Sequence, residues 1–120
     1  MIRIGVIVDP TTAHEGMIDE LKNNLPELTA KLAQTLEDAS GAETENLIIP
    51  AMTLAEKNSD NFHVIGTILR NINMYLHTHE YPRTVTIVCK DDSTATMYRQ
   101  VYNFYIADTK ATRLQDRNWD

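Results

Sequence analysis

The sequence predicts an α/β fold in which a small, mainly parallel sheet is flanked by helices in a three-layer sandwich. Two observations predict it. Short apolar, β-branched runs recur near residues 2–8, 47–50 and 84–89, and the segments between them carry apolar residues at steps of three and four. Period-two runs separated by helical periodicities describe strands joined by helical crossovers, and such crossovers favour parallel pairing.

Residues 2–8 are almost continuously apolar apart from Arg3 and Gly5, the pattern of a strand buried on both faces. Asp9-Pro10-Thr11-Thr12 breaks that strand, and residues 14–22 read as a short helix or irregular crossover. The helix over residues 26–39 is better marked. Asn24 is its cap, Pro26 sits in the first turn, Leu28, Leu32 and Leu36 repeat at helical spacing, and Gly41 closes the end. Residues 47–50 form the second strand.

The stretch Asn46-Leu-Ile-Ile-Pro-Ala-Met-Thr53 is the most informative, because an apolar run ending in Pro-Ala and a polar loop describes a buried strand delivering a binding loop. In parallel sheets small ligands bind beyond the carboxyl ends of strands, which directs attention to residues 51–61. A long helix follows, with Phe62, Ile65, Leu69, Ile72 and Leu76 forming one apolar stripe. Residues 84–89, Thr-Val-Thr-Ile-Val-Cys, alternate as a strand with one better buried face. Asp91 and Asp92 then cap a final helix, on which Met97, Val101 and Phe104 line one face. The domain is expected over residues 1–107, followed by a polar tail over 108–120.

A chain of 120 residues with 42% hydrophobic side chains fits a single domain with a real core. Seventeen acidic against eleven basic residues give a net charge of −6, which opposes nonspecific attraction to nucleic acids and anionic membranes. A single cysteine, Cys89, forbids an internal disulfide and points to a reducing cytoplasm. The apolar start stops at Asp9-Pro10, short of a secretory or membrane-spanning segment.

Chemistry-bearing residues are sparse. His77 and His79 are two apart, so on a helix they project to different sides and do not share an ion, and no metal site is expected. Cys89 closes an apolar strand with no neighbouring histidine, the setting of an inert buried thiol. No glycine-rich phosphate fingerprint, serine elbow or paired-cysteine metal motif is present, and no catalytic constellation can be assembled. Tyr98, Tyr102 and Tyr105 recur at steps of four and three beside the Met97 stripe, giving a second apolar face. That width predicts a homodimer through these tyrosines, which would also shield the edges of a small sheet.

The order of Ile4 to Pro10, Leu28 to Gly41-Ala42, Leu47-Ile-Ile-Pro-Ala51 and Val85-Thr-Ile-Val-Cys-Lys-Asp-Asp92 resembles the C-terminal portion of the macro domain, a family of ADP-ribose-binding α/β modules. The resemblance spans roughly residues 2 to 107 and rests on short motifs. It implies a noncatalytic module that binds ADP-ribose or a related nucleotide at the strand ends through Asp9, Thr11, Thr12, Met52, Thr53 and Lys57. Two departures mark a truncated or diverged relative. The asparagine loop with which family members grip the distal ribose has no counterpart, so hydrolysis is not implied. The loop after Ala51 has no glycine, and Glu56 and Asp60 would repel a diphosphate that only Lys57 attracts. The alternative is an interaction or inhibitor protein on the same scaffold, its pocket lost.

Overall fold

A computed structural model describes residues 3–11, 16–51 and 59–107. The element order is β1 (Ile4–Val8), α1 (Met17–Leu21), α2 (Leu25–Gly41), β2 (Asn46–Pro50), α3 (Ser59–Thr78), β3 (Thr84–Cys89) and α4 (Asp92–Tyr105). The three strands form one parallel sheet in the order β1-β3-β2, with Ile4 and Leu47 both opposite Val85. This is the α/β architecture the periodicities predict.

Local chemistry explains the helix ends. The Asn24 side chain accepts from the Glu27 N–H, and Leu28, Leu32 and Leu36 are buried along one stripe of α2. Asp91 caps α4, its Oδ1 accepting from the Thr94 N–H at 2.8 Å. The C-terminus of α2 closes differently from the expectation. Gly41 is still helical, and the left-handed residue is Glu43, at φ 52°. Its N–H bonds the Ser40 carbonyl at 3.1 Å and the Thr44 N–H bonds the Ala39 carbonyl at 2.9 Å, the paired closure normally built on glycine.

Packing gives the sheet two unlike faces. Ile4, Val6 and Val8 of β1, Leu47 and Ile49 of β2, and Val85, Ile87 and Cys89 of β3 share one face and join a single core with the α2, α3 and α4 stripes and with Ile18 of α1. On α3 the expected stripe is there, with Ile65, Leu69, Ile72 and Leu76 buried and Phe62 at its margin. The other face carries Gly5 and Ile7, Asn46, Ile48 and Pro50, and Thr84, Thr86 and Val88. Ile7 is 48% exposed and Ile48 57%. Among the described residues the domain therefore has two layers, one sheet and one helical, in place of the expected three-layer sandwich, and β1 is not buried on both faces as its composition suggests. The reason is that all the described helices join the core on one side, so alternate side chains of β1 have no helix to meet.

The start of β1 is held by a charge. Arg3 donates from Nε to the Arg83 carbonyl at 2.8 Å, from Nη1 to the Leu76 carbonyl, and from Nη2 to the carbonyls of His79, Glu80 and Pro82 at 3.1, 2.9 and 2.8 Å. The end of α3 and the loop into β3 are thus gathered on one side chain.

Two substitutions test this reading. Glu43→Gly removes the left-handed cost of a side chain and is expected to raise unfolding free energy by about 1 kcal/mol in denaturant titration. No gain would show that Glu43 is unstrained. Leu69→Asp places an unpaired carboxylate at a fully buried position. The cost of several kcal/mol against a total of roughly 5–15 kcal/mol should leave the chain without a cooperative thermal transition.

Candidate functional site

The carboxyl ends of the strands were the expected ligand site. Asp9 leaves β1 with its N–H on the Cys89 carbonyl at 2.9 Å, so β1 and β3 end together. Its Oδ1 accepts from the Thr11 N–H at 3.0 Å and from the Thr11 hydroxyl at 2.7 Å. That is an Asx turn, in which the carboxylate organises its own backbone. Nearby, Gly16 lies against Pro50, where an added Cβ would make ordinary contact with the proline ring at 3.4 Å. Asp9 and Thr11 are therefore brought together, while Thr12, Met52, Thr53 and Lys57 lie outside the described residues.

The expected tyrosine face is divided. Tyr98 is fully buried and Tyr102 is nearly so, both within the core, because α4 lies against β1 and β3 as well as α3. They cannot meet a second subunit from there. Tyr105 is exposed and packs with Phe62 and Phe104, centroids 5.7 and 4.8 Å away, under the Arg70 guanidinium at 4.7 Å. Phe104, expected in the core, is 66% exposed. A Cβ at Gly66 would stand 2.8 Å from the Tyr105 ring, so glycine is what admits that ring against α3.

Two further clusters escaped the sequence reading. At the amino ends of the strands, Arg3, Glu45, Asn46, Glu80, Arg83 and Thr84 line an open groove of about 490 Å³. Arg83 pairs there with Glu45 at 3.1 Å and Glu80 at 3.5 Å. At the end of α3, the His79 ring stacks on Tyr75 with centroids 3.8 Å apart, and the Tyr75 hydroxyl donates to Glu37 of α2 at 2.9 Å. Burial raises the Tyr75 pKa; a Ser40 hydrogen bond opposes the rise, and Glu37 adds to it. His79 is thereby committed to Tyr75 and Glu37. No group of three metal-ligating side chains converges among the described residues, and no described helix is long and apolar enough to cross a membrane.

The most distinctive geometry is the sheet face opposite the described helices, on which Ile7 and Ile48 are exposed while Val88 of the central strand is buried, at 4%. Parallel pairing matches Ile7 with Val88 and Val88 with Pro50, and Gly5 with Thr86 and Thr86 with Ile48. The row nearest the carboxyl ends is therefore apolar and the next is mixed. Asn46 closes the polar end, its Oδ1 accepting from the hydroxyls of Thr84 and Thr86 at 2.9 Å each. Asn46 and Thr84 also line the charged groove, so face and groove are continuous.

The edges beside this face are guarded. The Arg3 carbonyl and the Asp9 N–H bond to β3, so by alternation the backbone groups of Ile4, Val6 and Val8 point outward from β1. Arg99 of α4 donates to the Val6 carbonyl at 3.0 Å. On β2 the Glu45 carbonyl and the Ala51 N–H bond to β3, turning Asn46, Ile48 and Pro50 outward. Pro50 has no N–H to offer. No family model, curated protein or solved structure matches this chain.

Cys89 lies at the end of the central strand, and burial pushes its thiol up to about 12, against a smaller opposing pull from Arg99. The folded state thus favours the protonated thiol, so stability is complete below the ordinary value of 9.0 and falls as pH rises from there toward 12. In the native protein a thiol-specific reagent should label Cys89 only at the rate of unfolding. Stoichiometric labelling within seconds at neutral pH would show an accessible thiolate.

Proposed function

We propose that this chain is a noncatalytic protein-interaction module whose docking surface is the sheet face opposite the described helices, where Ile7 and Ile48 are exposed. The observation that carries this reading is the exposure of Ile7 and Ile48 on a parallel sheet, because parallel sheets occur with both faces covered. The strand ends offer less. Ligand crevices form where successive connections leave to opposite faces of the sheet, and the described helices all gather on one face. Asp9 and Asp91, the carboxylates at those ends, already organise the Thr11 turn and the α4 cap. The net charge of −6 favours a partner with basic character.

The test is a photo-reactive amino acid at position 48, compared with one at Met74, an exposed residue of α3. In cells making this protein, position 48 should give discrete higher-mass adducts and position 74 should not. No adduct from position 48, or the same adducts from both, would remove the reading.

A second reading has one observation in its favour. The Asp9 to Thr11 turn projects from the end of β1 where a macro-like module would hold ADP-ribose or a related nucleotide. Calorimetric titration with ADP-ribose decides it. Saturable heat that Thr53→Trp abolishes would establish a nucleotide site, and the absence of heat in the parent would end the proposal.

A further inference from the structure

We propose that Arg70 and the aromatic cluster at the end of α4 form a second docking site, for a short acidic segment of a partner protein. One carboxylate of the segment sits on the guanidinium, and a neighbouring apolar side chain lies against Phe104. The site is on the helical layer, away from the sheet face proposed above, and stands independently of it.

The sequence marks this helix. From Asn61 to His79 there is no Asp or Glu, in a chain that has seventeen. The carboxylates of the helices packed beside α3 are placed elsewhere. On α2, Glu27 is engaged by Asn24, Glu37 by Tyr75 and Asp38 by Gln34. Asp91 and Asp92 open α4, about 20 Å of helix away from Tyr105. Arg70 is exposed and makes no ion pair with a described carboxylate.

The guanidinium is nevertheless held in place. Its Nε donates to the Gly66 carbonyl at 3.2 Å, and its central carbon stands 4.7 Å from the Tyr105 ring centroid. These two contacts orient the group and leave the Nη atoms without a partner among the described residues. Those atoms complete the fork that grips a carboxylate bidentately. The seat depends on Gly66, where a Cβ would meet the Tyr105 ring at 2.8 Å, although a glycine inside a helix weakens that helix. Phe104 lies 4.8 Å from the same ring and is 66% exposed. In an extended segment, residues two apart share a face and stand about 7 Å from each other, a spacing that suits Arg70 and Phe104 together. The contact runs toward the start of α3 and leaves Met74, a turn beyond Arg70, outside it.

Charge decides the occupant. A second copy docked symmetrically would bring the same surface against itself, and this surface holds a cation and no carboxylate. A purely apolar partner would likewise bury the guanidinium unpaired, which is costly. An extended polyanion such as a nucleic acid or an anionic membrane meets the whole chain, whose net charge is −6. A short acidic segment meets only the neighbourhood of Arg70 and supplies the missing counter-charge.

The probe is a fluorescein-labelled peptide of about eight residues, aspartate-serine-leucine-serine repeated, beside one with asparagine for each aspartate. Fluorescence anisotropy on the full chain at physiological salt should show saturable, high-micromolar binding of the acidic peptide alone. The net charge of the chain opposes that binding, so saturation reports a local contact. Arg70→Gln removes the charge, Arg70→Lys keeps it without the fork, and Phe104→Ser removes the apolar contact. Each should weaken binding by about tenfold or more. All three positions belong to exposed residues, and unchanged circular dichroism and thermal midpoint will show that the variants fold. No saturable binding, equal binding of the asparagine peptide, or unchanged affinity in Arg70→Gln overturns the proposal. Full binding by Arg70→Lys overturns the fork, and a dimer in sedimentation that Phe104→Ser dissociates overturns the acidic segment by naming a second copy.

Discussion

The guanidinium of Arg3 fixes where the sheet begins, and the rest of the architecture follows from that point. A helix ends with carbonyls that have no partner in the helix. At the end of α3, Leu76 and the residues leading into β3 turn their carbonyls toward one side chain, which meets five of them. Because that side chain belongs to the residue before β1, the loop that delivers the central strand is tied to the start of an edge strand. The pairing of Ile4 with Val85 is thereby set. A slip of one residue would turn a strand over and carry Val85, Ile87 and Cys89 out of the core.

Much of this was legible in the residues. The α3 stripe from Phe62 to Leu76, the Asn24 and Asp91 caps and the alternation of residues 84–89 each follow a periodicity or a side-chain chemistry that acts locally. The sidedness of the sheet was not. Ile2 to Val8 reads as doubly buried because composition reports how apolar a strand is, and only the placement of helices decides which faces are covered. Arg3 looked like an interruption in that run, since its partners lie more than seventy residues away. Gly41 looked like the terminator of α2, but the chain continued two residues further and placed the left-handed turn on Glu43.

The candidate site was legible only in part, for related reasons. Tyr98, Tyr102 and Tyr105 fall at helical steps, and that spacing describes a core stripe as well as a surface one. The crossing of α4 over β1 and β3 assigned the first two to the interior. Asp9 sits where a ligand-binding carboxylate would, yet a threonine two residues on is the usual companion of an Asx turn, and that local bond is formed. The face that carries Ile7 and Ile48 left no local signature, because its members come from three strands separated by most of the chain.

Arg99 and Pro50 have an effect on how such a molecule behaves in a crowd. A sheet that can take on strands at its margin offers each newcomer a fresh margin, and growth of that kind has no natural stop. A sheet blocked at its margins and open on its face offers a berth that vanishes once filled. The guanidinium on the Val6 carbonyl and the missing donor at Pro50 therefore separate stickiness from polymerisation. Ile7 and Ile48 can therefore stand in water without the sheet presenting a full ladder on which further strands would stack, the step by which fibres grow.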